Sequence, residues 1–133
     1  MPTHKVDYSA KYADGTSSLE TQLSDSNTAG AELNITESIA DGVTDVRVLT
    51  GLIDISQVKS IYVEAPGVLT LELNHASTPT QTITTEKNTP TIWSTGFTGR
   101  ANPLIADFTD IYVTNASGGA LVLEVRILYD PTV

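Results

Sequence analysis

A stretch of nine residues that occurs twice constrains this chain more than any other feature. The segment 55–63, ISQVKSIYV, returns at 105–113 as IADFTDIYV, with apolar residues and the tyrosine at matching positions. Each copy is followed by turn-forming residues and by a segment, 68–73 or 120–125, in which apolar and polar residues alternate. Because β-branched and aromatic residues favour strands and the intervening residues favour turns, the sequence predicts one β-hairpin per copy.

Alternation gives each predicted hairpin one apolar face, since successive residues of a strand point to opposite sides. Two such faces can cover each other, which predicts a sandwich core. The similarity of the copies has two interpretations: a duplication with pseudo-symmetry, or the chance resemblance of strands in any sandwich. The six residues predicted to face the shared core are Leu69, Leu71, Leu73, Leu121, Leu123 and Val125.

The rest of the chain consists of short alternating segments and turns, without a convincing amphipathic helix. About eight or nine strands at near-regular spacing predict an all-β, single-domain β-sandwich of jelly-roll or Greek-key type over residues 13–133. Residues 1–12 form an N-terminal arm with one short strand. The polar segment 13–30 predicts a long exposed loop or a weak edge strand, or one helical turn on the spacing of Leu19 and Leu23. A single turn at 56–58 is expected, capped by Asp54 or Ser56.

Composition excludes several classes of protein. There is no cysteine, so disulfides, thiolate zinc sites and thiol catalysis are ruled out. No apolar run approaches the roughly 20 residues that cross a bilayer, and the first residues lack the apolar stretch of a signal peptide. The 16 acidic and 7 basic residues include no Lys/Arg cluster, so neither nucleic acid nor a membrane is an expected partner. The acidic surface favours solubility and, in a DNA-filled particle, an outward position.

No catalytic or cofactor signature is present in the sequence. His4 and His75 are far apart and neither has a second ligand at metal-binding spacing, so no metal site is expected. The carboxylates Glu64, Glu72 and Glu124 fit the solvent face of alternating strands better than a catalytic pair. There is no nucleophile elbow, phosphate loop or dinucleotide fingerprint. The sequence therefore predicts a protein that is not an enzyme and needs no cofactor.

Two aromatic residues raise the possibility of binding. Trp93 and Phe97 lie near a loop rich in glycine, and exposed aromatics stack on sugars and anchor interfaces. The alternative is that Trp93 belongs to the core or to the end of the sandwich, and its neighbours, Ile92 and threonines, favour this alternative.

Residues 54–133 resemble small β-rich virion-associated proteins of tailed bacteriophages, of the capsid decoration or cement type. The resemblance rests on segments without catalytic motifs: 54–60, Thr78-Pro79, the Lys-x-x-Pro-x-x-Trp pattern of 87–93, 102–104, 111–115 and 128–131. It implies a structural virion protein, made in the host cytoplasm, that binds the major capsid protein on the outer capsid surface and stabilises the shell. It also implies a homo-oligomer, with a trimer preferred.

The arm has too little chain around it to hide its apolar side, so we expect it to pack on, or pair with, another subunit by strand addition. The alternative functions are a tail or head-fibre domain and a carbohydrate-binding module. The residues expected to make oligomer or capsid contacts are Val6, Tyr8, Tyr12, Phe97 and Arg100.

Overall fold

The computed structural model describes residues 1–13 and 15–131, with the backbone alone at Leu49. These residues form ten strands and one 3₁₀ turn, Ile55–Gln57. No helix in the described ranges has the length and hydrophobicity that a membrane span requires. The strands are β1 Thr3–Ala13, β2 Ser18–Thr28, β3 Ala31–Ile39, β4 Val46–Ile53, β5 Val58–Glu64, β6 Thr70–Leu73, β7 Gln81–Thr84, β8 Thr91–Ser94, β9 Phe108–Thr114 and β10 Leu121–Tyr129.

Eight of the strands build a two-layer sandwich. One sheet has the order β3-β10-β5-β8 and the other β4-β9-β6-β7, and every pairing is antiparallel. This is the order of a jelly roll, in which two Greek keys are wrapped into facing sheets. The predicted all-β sandwich is therefore confirmed. The remaining strands, β1 and β2, form a separate two-stranded sheet.

The two predicted hairpins, in contrast, are wrong. β5 pairs with β10, where Val63 lies opposite Val125, and β6 pairs with β9, where Leu71 lies opposite Val113. After β5 the chain passes through a corner at residues 65–67 into the opposite sheet. Alternation shows which face of a strand is apolar, but it does not show which strand lies beside it. Each strand of a copy consequently pairs with the other copy.

The repeat in the sequence corresponds to a pseudo-symmetry of the strand order. If β3, β4, β5 and β6 are exchanged for β7, β8, β9 and β10, the order β3-β10-β5-β8 becomes β7-β6-β9-β4. That is the second sheet counted from its other edge. Residues 31–73 and 81–129 are thus topologically equivalent halves, each of which supplies two strands to each sheet.

The core lies between the two sheets. The predicted register is confirmed, because five of the six residues expected there are at most 1% exposed and Leu121 is half-buried against them. Full burial of one such side chain stabilises the fold by about 1.5–3 kcal/mol. The short turn before β5 also follows the prediction: Asp54 caps it, and its carboxylate accepts a 2.9 Å hydrogen bond from the Ser56 N–H.

Candidate interaction surface at the N-terminal hairpin

The N-terminal arm is a long hairpin. β1 and β2 pair without interruption from Thr3 opposite Thr28 to Ala13 opposite Ser18. The arm boundary predicted at residue 12 falls inside β1. Of the three alternatives for the segment 13–30, the edge strand describes it, whereas the long loop and the helical turn do not. Leu19 and Leu23, four residues apart, share one face of a strand as readily as one face of a helix.

The hairpin has one apolar face. Val6, Tyr8, Ala10 and Tyr12 alternate onto it, and the register places Leu23 opposite Tyr8 and Leu19 opposite Tyr12. The other face carries the lysines and serines of the two strands with Asp7 and Glu20, whereas Asp25 lies opposite Val6 on the apolar face. We call residues 3–8 and 23–28 the hairpin base and residues 9–22 the hairpin tip.

The hairpin base covers part of the outer face of the β3-β10-β5-β8 sheet. β1 lies against β5 and β8, and Val6 is only 6% exposed. Beneath it runs one row of outward-pointing residues that pair across the four strands: Glu32, Leu128, Ser60 and Ser94. The last three of these are buried although they lie outside the sandwich core. The base is therefore an integral part of the fold.

Polar contacts attach the base at both ends of that row. His4 Nε2 lies 2.7 Å from a Glu32 carboxylate oxygen. At the other end, the Asp25 carboxylate accepts hydrogen bonds from the Ser94 hydroxyl and, at 2.8 Å, from the Gly96 N–H. The hydrogen bond from Ser94 has the larger effect and that from Gly96 the next, and together they lower the pKa of Asp25 below its usual 3.8. A side chain at position 96 would collide with this carboxylate, which explains the glycine there.

The hairpin tip, by contrast, is exposed to solvent along its described length. Every described residue from 9 to 22 is exposed, including Tyr12 at 58% and Leu19 at 68%. A two-stranded hairpin alone is marginally stable in water, because it has no third strand or packed face to support it. The tip is thus a regular element whose apolar face lacks cover.

The five predicted contact residues fall into three groups. Tyr12 lies on the tip. Val6 belongs to the base and is buried against its own sandwich, so the expectation that it contacts a partner is corrected. Tyr8 also belongs to the base, where the Arg100 guanidinium sits 4.5 Å from the centre of its ring, within the range of a cation–π contact. Phe97 is 3% exposed, so its ring is not available to a partner, and this expectation is corrected. The turn closed by the Phe97 N–H and the Ser94 carbonyl, at 2.9 Å, places the ring inside the molecule.

The aromatic pair considered for sugar binding does not form a stacking platform. Phe97 is buried, and Trp93 packs against the core while its indole N–H donates a 3.0 Å hydrogen bond to the Arg100 carbonyl. Within residues 1–13 and 15–131, no three His, Cys, Asp or Glu side chains are grouped so that they could hold a metal ion.

A shallow depression of about 270 Å³ lies on the same outer sheet face as the hairpin base but nearer the other end of the strands. Glu64 and Glu124 pair across β5 and β10 there, two rows from the row under the base. Pro66, Lys87 and Val122 are among the other residues that line it, and Val122 is 42% exposed. We call this region, with the neighbouring Tyr62, the open patch.

Comparison of the chain with protein-family models, with curated proteins and with solved structures finds no match.

Proposed function

We propose that this protein is a structural component of a bacteriophage virion that binds the outer surface of the capsid as a homo-oligomer, with a trimer as the expected state, and stabilises the shell. The observation that carries the proposal is the hairpin tip, a preformed β element with an uncovered apolar face on a rigid sandwich. Such an element is suited to holding chains together, since its contact face already exists before binding. The resemblance in residues 54–133 suggests the virion as the setting.

The charge of the chain fits a position on the outside of a particle. The net charge is −9, so packaged nucleic acid repels the protein. The same charge keeps the protein soluble at the high local concentration of a capsid lattice. Acidic residues outnumber basic ones by two in residues 1–28 and by seven in the much longer segment 29–133, so the charge is spread evenly along the chain. Contact with the capsid is expected instead on a face that lacks charged side chains, as the face of Tyr12 and Leu19 does.

Stabilisation of a shell requires no catalysis. A protein that binds only the assembled lattice stabilises it by RT ln(1 + [L]/Kd), about 2.7 kcal/mol per site at a hundredfold excess over Kd. Many copies that bridge neighbouring capsid subunits multiply this modest effect. The contact is expected to be spread over the hairpin and the adjoining loop 96–100.

The test compares particles with and without this protein, from the virus that encodes it. We expect the purified chain to bind to saturation on capsids that lack this protein and to raise their resistance to heat and osmotic shock. It should also give density on the outer surface in electron microscopy. Absence from mature particles, or density in the tail or the interior, would refute the proposal. Binding of the isolated chain on a glycan array would instead favour a carbohydrate-binding module.

A further inference from the structure

We propose that the apolar face of the hairpin tip packs on the open patch of a second copy of this chain, so that copies join head to tail. This deepens the proposed function by naming the partner of the hairpin, but it can be tested without any particle. The contact joins two different surfaces, the tip of one copy and the open patch of the next.

The hairpin base shows what kind of surface this face fits. The same alternating series that continues into Tyr12 places Val6 against the outer face of the β3-β10-β5-β8 sheet, over β5. The open patch is the uncovered continuation of that outer face on β5 and β10. The apolar side of the hairpin base therefore already packs on one part of this sheet face. The hairpin tip and the open patch are the parts of the two surfaces that remain uncovered.

Within one chain these two surfaces do not meet. The base lies along the row that runs from Glu32 to Ser94. The next contact along β1 is that of Tyr8 with Arg100, in the loop that follows β8. The tip thus extends past the β8 edge, whereas the open patch lies on β5 and β10. Only a second copy can bring an open patch to the tip.

The charges of the two surfaces are compatible. The tip face, from Ala10 and Tyr12 to Leu19 and Thr21, carries no charged side chain among the described residues. It can therefore approach a second acidic chain without placing like charges together. The open patch combines the apolar residues Pro66 and Val122 with the charged residues Glu64, Glu124 and Lys87.

The size of the tip sets the strength of the contact. Five residues per strand beyond the base extend for about 17 Å, and two strands are about 10 Å wide, so one face of the tip covers roughly 200 Å². That is small beside the roughly 800 Å² per partner of a standard interface. A single contact should therefore be weak. A head-to-tail contact that closes into a ring engages every copy twice, which strengthens the assembly without new surfaces.

The first experiment measures the mass of the full chain in solution by light scattering at micromolar concentration. We expect an oligomer for the wild type and a monomer for the Tyr12→Ser/Leu19→Ser variant. Leu52→Ser is the matched control, because Leu52 is 67% exposed, nearly the same as Leu19, but lies in β4 on the sandwich. A monomeric wild type, or a tip variant that remains an oligomer, would overturn the proposal.

The second experiment locates the contact and uses the absence of cysteine in the chain. One preparation carries Tyr12→Cys, another Val122→Cys, and the mixture is treated with a short bismaleimide. We expect crosslinked dimers containing one chain of each kind. When the second preparation carries Thr84→Cys, on the opposite sheet, in place of Val122→Cys, we expect no crosslinked dimers. Crosslinks between two Tyr12→Cys chains alone, or equal yields with both partners, contradict the head-to-tail contact.

The outcomes separate the two proposals. An oligomer with the expected crosslinks that fails to bind capsids leaves this inference standing and refutes the proposed function. A monomer that nevertheless binds capsids overturns this inference and leaves capsid binding standing without the homo-oligomer.

Discussion

The sandwich and the hairpin carry the same sequence pattern but differ in what covers it. In the sandwich, Leu71 and Leu73 of β6 alternate with polar residues and are 1% exposed. In the hairpin, Val6, Tyr8 and Tyr12 of β1 alternate equally well, yet exposure rises from the base to the tip. The opposite sheet covers β6 along its whole length, whereas β1 is covered by its own chain only at one end.

This difference teaches that alternation specifies an apolar face but not its cover. Where the cover belongs to the same chain, the apolar face stabilises the monomer. Where it does not, the same face is available for association. Substitutions made along the path from the core to the tip should therefore have steadily smaller effects on monomer stability.

The largest effect is expected in the core. Leu71→Ala and Leu123→Ala remove equivalent, fully buried side chains from the two halves, and each should lower the free energy of unfolding by about 2–5 kcal/mol. Urea denaturation measures both. Similar losses would show that the halves are energetically as well as topologically equivalent. A loss below about 1 kcal/mol for either variant contradicts the packing described here.

The second corner of the sandwich, where the chain passes from β9 to β10 through residues 115–120, should be nearly as sensitive to substitution. Asn115 is buried, and its amide donates 2.9 Å hydrogen bonds to the Ile39 and Gly119 carbonyls. Its repeat equivalent, Ala65, makes no such bonds because the first corner is shaped by Pro66-Gly67. We expect Asn115→Ala to cost about 1–3 kcal/mol, since it leaves buried carbonyls without donors.

Pro66→Ala provides the matched measurement at the first corner. It should cost less than about 1 kcal/mol, the range of unfolded-state entropy changes at proline. Equal losses at the two corners would mean that the hydrogen bonds of Asn115 do not hold the second one.

These corners also show how far the sequence predicts the fold. The apolar faces, the core register and the capped turn at Asp54 follow from local patterns. The pairing of β5 with β10 instead of β6 does not, because a short Pro-Gly sequence suits a hairpin turn and a sheet-to-sheet corner equally. Which one forms depends on tertiary contacts between residues far apart in sequence.

The same limit applies to the candidate surface. Sequence identified an arm with an apolar side and named Tyr12, but it gave β2 only as one of three alternatives, a weak edge strand, because the only apolar residues there before Ala29 are Leu19 and Leu23. Their even spacing was the available signal. Burial of Phe97 could not be predicted, because it depends on a turn in a glycine-rich loop that packs against the rest of the protein.

A smaller effect is expected where the hairpin base meets the sandwich. Asp25→Asn removes the charge that accepts hydrogen bonds from Ser94 and Gly96, and should cost about 1 kcal/mol after allowing for solvent screening. Because the folded-state pKa of Asp25 is lowered, its contribution is complete above the usual value of 3.8 and is lost as the pH falls through the folded-state pKa.

Hydrogen exchange of the β1 and β2 amides between pH 7 and pH 3 measures this attachment. The hydrogen bond with His4 lowers the pKa of Glu32, so the contribution of Glu32 to the attachment also falls as the pH is lowered, equally in both proteins. The difference between wild type and Asp25→Asn therefore isolates Asp25. We expect that difference to shrink at low pH, and a constant difference would show that the carboxylate charge is not what holds the base.

The smallest effect on monomer stability is expected at the tip. Tyr12 and Leu19 face each other across the hairpin and remain exposed, so Tyr12→Ser/Leu19→Ser should change the unfolding free energy of the dilute chain by less than about 0.5 kcal/mol. Leu52→Ser, an equally exposed change on the sandwich, should do the same. The two variants should separate only when the protein is concentrated, since association stabilises the folded state by mass action. Under those conditions the wild type and Leu52→Ser should melt at a higher temperature as concentration rises, whereas the tip variant should not. A large loss in the dilute tip variant would instead mean that the tip is covered by its own chain, and the contrast between hairpin and sandwich would disappear.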